Sequence, residues 1–123
     1  MSPSRKTTVL VVEDDPHLRT LYRLTLTHAG YAVVAVGDGV DALRHLEAAT
    51  PDAVVLDIGL PRLHGRDVQR EMAAHSRTSH IPIVVVTGSE TPIQDADYAC
   101  VLRKPIDPEA LIAAVEKCLG RDF

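Results

Sequence analysis

Five apolar runs of strand length recur along the chain with no polar residue alternating through them: Thr8–Val12 (TVLVV), Ala32–Val36 (AVVAV), Ala53–Leu56 (AVVL), Ile83–Val86 (IVVV) and Ala99–Leu102 (ACVL). A strand with one face in water alternates apolar and polar side chains, whereas one without alternation has both faces covered. Between the runs lie segments with helical marks. The first opens at Pro16, favoured in a first helical turn, behind acids suited to capping, and closes at Gly30. Its stretch LYRLTLTH alternates and alone would argue for a strand; the Asp-Pro opening and Gly close decide for helix. Val40, Leu43 and Leu46 repeat at helical spacing, Val68 and Met72 follow Gly65, and Ile112, Val115 and Leu119 lie between Asp107-Pro108 and Gly120. Strand and helix in alternation require right-handed crossovers and a parallel sheet with helices on both faces. The expected class is therefore α/β, a doubly wound five-stranded parallel sheet.

Length and composition narrow the function. At 123 residues the chain is one domain with a sufficient core. Aromatics at 3% make that core aliphatic, which suits a Val-rich parallel sheet. The net charge of −4, without a block of Lys and Arg, offers no face for nucleic acid, so no direct nucleic acid binding is expected. The longest apolar runs are too short to cross a membrane. The opening MSPSRKTT is not a signal peptide. Cys100 and Cys118 lack metal-like spacing and read as reduced thiols, Cys118 at helical spacing with core residues. A cytoplasmic location is expected. The six histidines are scattered and read as surface residues, and Gly37-Asp38-Gly39 reads as a turn, since it lacks the context of a phosphate-binding loop.

In sheets of this kind, ligands bind outside the carboxyl ends of the strands, where strand order reverses. The first strand ends in Glu13, Asp14 and Asp15, the third in Asp57, the fourth in Thr87, and the fifth runs into Arg103, Lys104 and Pro105. Three of these acids, Glu13, Asp14 and Asp57, are hard oxygen ligands too numerous for one lysine to neutralise, and clustered carboxylates resist full ionisation unless a cation joins them. A site with few protein oxygens and room for water suits Mg²⁺. Asp57 could then attack phosphorus to form an aspartyl phosphate, with Lys104 and the metal neutralising charge and the Thr87 hydroxyl donating to a phosphoryl oxygen. Asp15 reads as a helix cap.

The segments VLVVEDDP, VVLDIGLPRLHG, VVVTGS and VLRKP, in this order, resemble the signature segments of the receiver domain of two-component response regulators, and the resemblance spans nearly the whole chain. It implies a flavodoxin-like strand order, 2-1-3-4-5. It implies a receiver domain over residues 8–120, between a flexible leader (1–7) and a tail (121–123). Asp57 resembles the phosphoacceptor, Glu13 and Asp14 the pair that holds Mg²⁺ (Asp14 the more direct ligand), Gly59 a backbone-carbonyl ligand, Thr87 the switch hydroxyl and Lys104 the phosphate-pairing lysine. By analogy the Lys104–Pro105 peptide is cis, and Gly59 and Ser89 flank the path of water and tune phosphoryl lifetime. The phosphodonor would be a histidine kinase or histidine phosphotransfer protein. With no output domain after Gly120, the chain would act through a partner, as a signalling phosphoacceptor that largely catalyses its own phosphorylation and not as a metabolic enzyme.

Two departures from the family pattern bear on switching. Val101 stands three residues before the lysine, where receivers usually carry Tyr or Phe; Tyr98 lies three residues earlier still. The stretch from Thr87 to Lys104 is short, so the fourth helix, confined to Ser89–Tyr98 with Pro92 inside it, is expected to be shortened or missing. The alternative reading is a phosphorylation-independent interaction module. An aspartate-nucleophile phosphatase would need a second Asp two residues after Asp57, where Gly59 stands.

Overall fold

The computed structural model describes residues 6–60, 63–88 and 98–120. Strands β1 (Thr8–Val12), β2 (Ala32–Val36), β3 (Ala53–Asp57), β4 (Ile83–Thr87) and β5 (Cys100–Arg103) form one parallel sheet in the order β2-β1-β3-β4-β5. The fold class and strand order are those expected. The third and fourth strands run one residue further than their apolar runs, so that Asp57 pairs with Val86 and Thr87 with Arg103. The chemistry-bearing residues are thus the last rungs of the ladder.

Helices α1 (Pro16–His28), α2 (Gly39–Ala48), α3 (Gly65–Ala74) and α4 (Pro108–Cys118) are the helices among the described residues. Asp15 caps α1, its side chain accepting from the His17 and Leu18 amides, and Pro16 follows in the first turn. Gly30, at a φ of 102°, ends the segment in the left-handed conformation that an L side chain resists. The alternating pattern in LYRLTLTH does not prevent a helix: Tyr22 and Leu26, one turn apart, face inward while Leu21 and Leu24 stay exposed. The fourth helix in question, over residues 89–97, lies outside the described residues, as do most of the expected leader and the whole tail. Thr7, placed in that leader, already accepts from the Ala32 amide at 2.9 Å.

Strand parity sorts the core into two halves. Val9, Val11, Val55, Val84 and Val86 face α1 and α4, while Leu10, Val12, Val54, Leu56 and Val85 face α2 and α3. Burial of β3 and β4 is complete on both faces, whereas edge strands β2 and β5 are only half-buried. With each branched side chain contributing about 1.5–3 kcal/mol on burial, this double aliphatic layer is the main stabilising element. The pairing of β1 with β3, β3 with β4 and β4 with β5 sets the tips of these strands side by side.

Candidate functional site

Burying a carboxylate at a strand tip costs free energy unless partners compensate. Asp57 ends β3 with its side chain 8% exposed. One oxygen, Oδ1, accepts from the Gly59 amide at 2.9 Å, and the other, Oδ2, from Lys104 Nζ at 3.2 Å. The lysine arrives from just past β5, where its amide donates to the Thr87 carbonyl at 2.8 Å. Lys104 and Pro105 are joined by a cis peptide. Thr87 is itself buried at the tip of β4.

Glu13, just past β1, is 1% exposed. Its Oε2 accepts from the Asp15 amide at 3.1 Å, and its Oε1 lies 2.7 Å from Lys104 Nζ in an ion pair outside hydrogen-bond geometry. Burial pushes the Glu13 carboxyl up to about 7; the Lys104 ammonium and the Asp15 amide oppose that rise, and the Asp57 charge adds to it. For Lys104, desolvation favours the neutral form, but Glu13 and Asp57 outweigh it and hold the ammonium above its ordinary value. Asp14 is exposed on the same rim.

One oxygen from each of Glu13, Asp14 and Asp57 can be drawn such that all lie within 4.8 Å of one another. Among the described residues the Lys104 ammonium is the one cation paired with these acids, 2.7 Å from Glu13 Oε1 and 3.2 Å from Asp57 Oδ2, so one positive charge faces three carboxylates. This all-oxygen set, short of positive charge, fits a small hard cation such as Mg²⁺. Of the residues singled out in the sequence, Glu13, Asp14, Asp57, Thr87 and Lys104 converge here, and Gly59 is exposed beside Asp57. Val101 packs with Tyr98 against the cluster under α2 and α3. Ser89 lies outside the described residues.

Two residues at this rim have a part in the site that the sequence reading did not assign. Arg19, from the first turns of α1, reaches back to the Glu13 and Asp14 carbonyls. Gly65, the first residue of α3, is pressed against the turn after β3: a Cβ there would sit 2.6 Å from the Asp57 carbonyl oxygen and 2.8 Å from Ile58 Cα. Both obstacles are backbone, so Gly65→Ala is expected to push that turn aside and lower stability by about 1–3 kcal/mol in urea unfolding. An unchanged midpoint would show that the turn yields freely.

The family model described as the response regulator receiver domain matches residues 9–116. Response regulator MprA of Mycobacterium ulcerans is 36% identical over 118 residues, covering 92% of this chain and 50% of MprA. The chain thus spans about half the length of the curated relatives it matches. A response regulator from Chloroflexus aurantiacus superimposes with a TM-score of 0.86 at 29% identity, over 95% of this chain and 100% of that one. The receiver domain of sensor histidine kinase PA1611 from Pseudomonas aeruginosa, solved with a magnesium ion coordinated in its active-site cleft, gives 0.85 at 29% identity, over 94% and 99%.

Proposed function

The chain belongs to the response regulator receiver family, and from that premise we propose that it takes a phosphoryl group onto Asp57 from a phosphohistidine donor, with Mg²⁺. The observation that carries this reading is the pairing of Asp57 Oδ2 with Lys104 Nζ at 3.2 Å, on a carboxylate whose other oxygen the Gly59 amide fixes. A carboxylate oxygen of Asp57 forms the new bond to phosphorus while the P–N bond to the donor imidazole breaks and its electron pair stays on nitrogen. Lys104 moves from balancing two carboxylates to balancing the transferred group, and the Thr87 hydroxyl lies at the neighbouring strand tip. Glu13, Asp14, Asp57 and the Gly59 carbonyl would hold Mg²⁺, which when bound supplies charge neutralisation for the acids and the phosphoryl oxygens.

Phosphorylation replaces the Asp57 carboxylate, one negative charge, by a group carrying about −1.5 to −2, and its oxygens draw Lys104 and Thr87 toward them, biasing the surface they support. On this reading the chain is a signalling phosphoacceptor, with a histidine kinase or histidine phosphotransfer protein as donor and a partner as reader. Among the described residues no helix is long and apolar enough to cross a membrane. The test is intact-mass analysis after incubation with Mg²⁺ and acetyl phosphate, followed by mapping of the adduct. One phosphoryl group on the peptide bearing Asp57, absent without Mg²⁺, is the expected result. The half-buried aliphatic Val101 favours a second reading, an interaction module that does not switch. Absence both of an adduct and of beryllofluoride binding would put it ahead of the switch.

The titration of Glu13 gives a further expectation. With its proton leaving at about pH 7, Mg²⁺ must compete with that proton in mildly acidic solution. Apparent affinity is expected to weaken by up to about tenfold per pH unit below about 7 and to level off above it. Calorimetry at about pH 6 and about pH 8 checks this; equal affinities would place the transferred proton elsewhere.

A further inference from the structure

Arg19 occupies a position that ordinary helix energetics disfavour. Its amide makes the first bond of α1, to the Asp15 carbonyl at 2.8 Å, so its cationic side chain leaves the helix near the positive end of the macrodipole. The Asp15 carboxylate caps the free amides of His17 and Leu18 at this helix start, and no further acid lies in the first turn of α1. The guanidinium turns back past the helix start, and Nη1 donates to the Glu13 carbonyl at 3.0 Å, with a longer contact to the Asp14 carbonyl at 3.4 Å. Room is kept for it: a Cβ on Gly37, just past β2, would lie 2.9 Å from Nη1. The same backbone is fixed on its other side by the Glu13 amide, which donates to the Val36 carbonyl at 3.1 Å.

We propose that Arg19 is a positioning residue for the Mg²⁺ site: by gripping the Glu13 and Asp14 carbonyls it sets the directions in which those two carboxylates leave the end of β1. This rests on the reading of the site given above. The turn from β1 into α1 has only a few backbone bonds to hold it, and Asp14 is exposed, so its aim depends on the backbone that carries it. Groups that orient ligands without touching the metal commonly change affinity on the order of tenfold or more when removed. The opposing effect has the opposite sign. A cation beside a divalent ion repels it, so if Arg19 acted only through its charge, removing it would tighten binding.

The experiment is Mg²⁺ titration by calorimetry of the whole chain, with Arg19→Ala, Arg19→Lys and Arg19→Gln, and with Leu46→Ala as a variant destabilised in the core under α2 and α3. Positioning predicts Mg²⁺ binding weakened on the order of tenfold in Arg19→Ala, with partial recovery in Arg19→Gln, whose amide can still donate to a carbonyl without carrying charge. Labelling by acetyl phosphate should return toward the wild-type rate at saturating Mg²⁺. Equal or tighter binding in Arg19→Ala, or the same loss in Leu46→Ala at matched stability, would overturn it. If Arg19→Ala does not fold, Arg19→Met, which keeps the aliphatic stem but donates to neither carbonyl, decides: binding like wild type also overturns it. A wild-type chain that binds no Mg²⁺ would overturn the reading of the site and this proposal together, whereas wild-type binding unaffected by Arg19 would overturn this proposal alone.

Discussion

Lys104→Met is expected to unfold at markedly lower denaturant concentration than the wild type at pH 8, and to lose much of that deficit at about pH 5. The ammonium is the shared counter-charge of two carboxylates that are almost wholly buried, Glu13 at 2.7 Å and Asp57 at 3.2 Å. Removing one partner of a buried pair leaves an uncompensated charge and costs about 3–5 kcal/mol. The lower end applies, since about a fifth of the Lys104 side chain remains in water and screens the pair. Methionine keeps most of the aliphatic stem over Gly88, so the loss measured is chiefly electrostatic.

The pH dependence follows from the raised carboxyl of Glu13, about 7 in the fold against 4.5 for an ordinary glutamate. The folded chain therefore binds this proton more tightly than the unfolded chain. Its contribution to stability is fully present below about 4.5 and is lost as pH rises through about 7. Below that window Lys104 balances Asp57 alone, and its removal exposes one bare charge. Above it two carboxylates ionise against each other. In Lys104→Met the opposing influence on Glu13 is gone, so its proton is held to still higher pH and the stability curve bends later. Equal losses at both pH values in urea unfolding would show that Glu13 does not change its protonation between them.

How much of this could be read from the chain depends on whether local pattern or three-dimensional packing decides each feature. The unbroken apolar runs specified a parallel sheet because alternation is the signature of a wet face, and β3 and β4 are dry on both sides. The same rule overstated β2 and β5, whose composition matches the central strands although each lies at an edge; edge position is a property of strand order, which composition does not encode. Asp15 was legible as a cap because capping is local. That Glu13 is buried while the adjacent Asp14 is exposed was not legible, since it depends on how the chain leaves β1 and on where Lys104 arrives from the far end of the sequence. Arg19 and Gly65 were silent for the same reason. An arginine on an amphipathic helix and a glycine at a helix start have ordinary local explanations, and only the fold brings them against the backbone of the acidic residues.

Asp57→Asn is expected to abolish the phosphoryl adduct entirely while leaving the resting fold intact or firmer. The amide is nearly isosteric with the carboxylate, and its oxygen can still accept from the Gly59 amide that now holds Oδ1. The nucleophilic charge is gone, so acetyl phosphate should give no adduct even at saturating Mg²⁺. Stability responds to two opposed changes. Lys104 loses one of its two partners but keeps Glu13 at 2.7 Å, and Glu13 loses a like charge that raises its carboxyl. Repulsion between carboxylate oxygens within 4.8 Å of one another, in a partly screened setting, is a matter of a few kcal/mol at most. Set against the weaker of the two ion pairs, the balance favours the variant by about 1 kcal/mol above pH 7. With Glu13 protonated, below about pH 5, the difference should vanish or reverse, because only the lost pairing remains. The ligand set also drops from three carboxylates to two, so stabilisation by added Mg²⁺ should shrink. Thermal unfolding at two pH values, with and without Mg²⁺, reads all of these. A variant less stable than wild type at pH 8 would mean that attraction to Lys104 outweighs crowding among the acids, and that Asp57 holds the rim together rather than straining it.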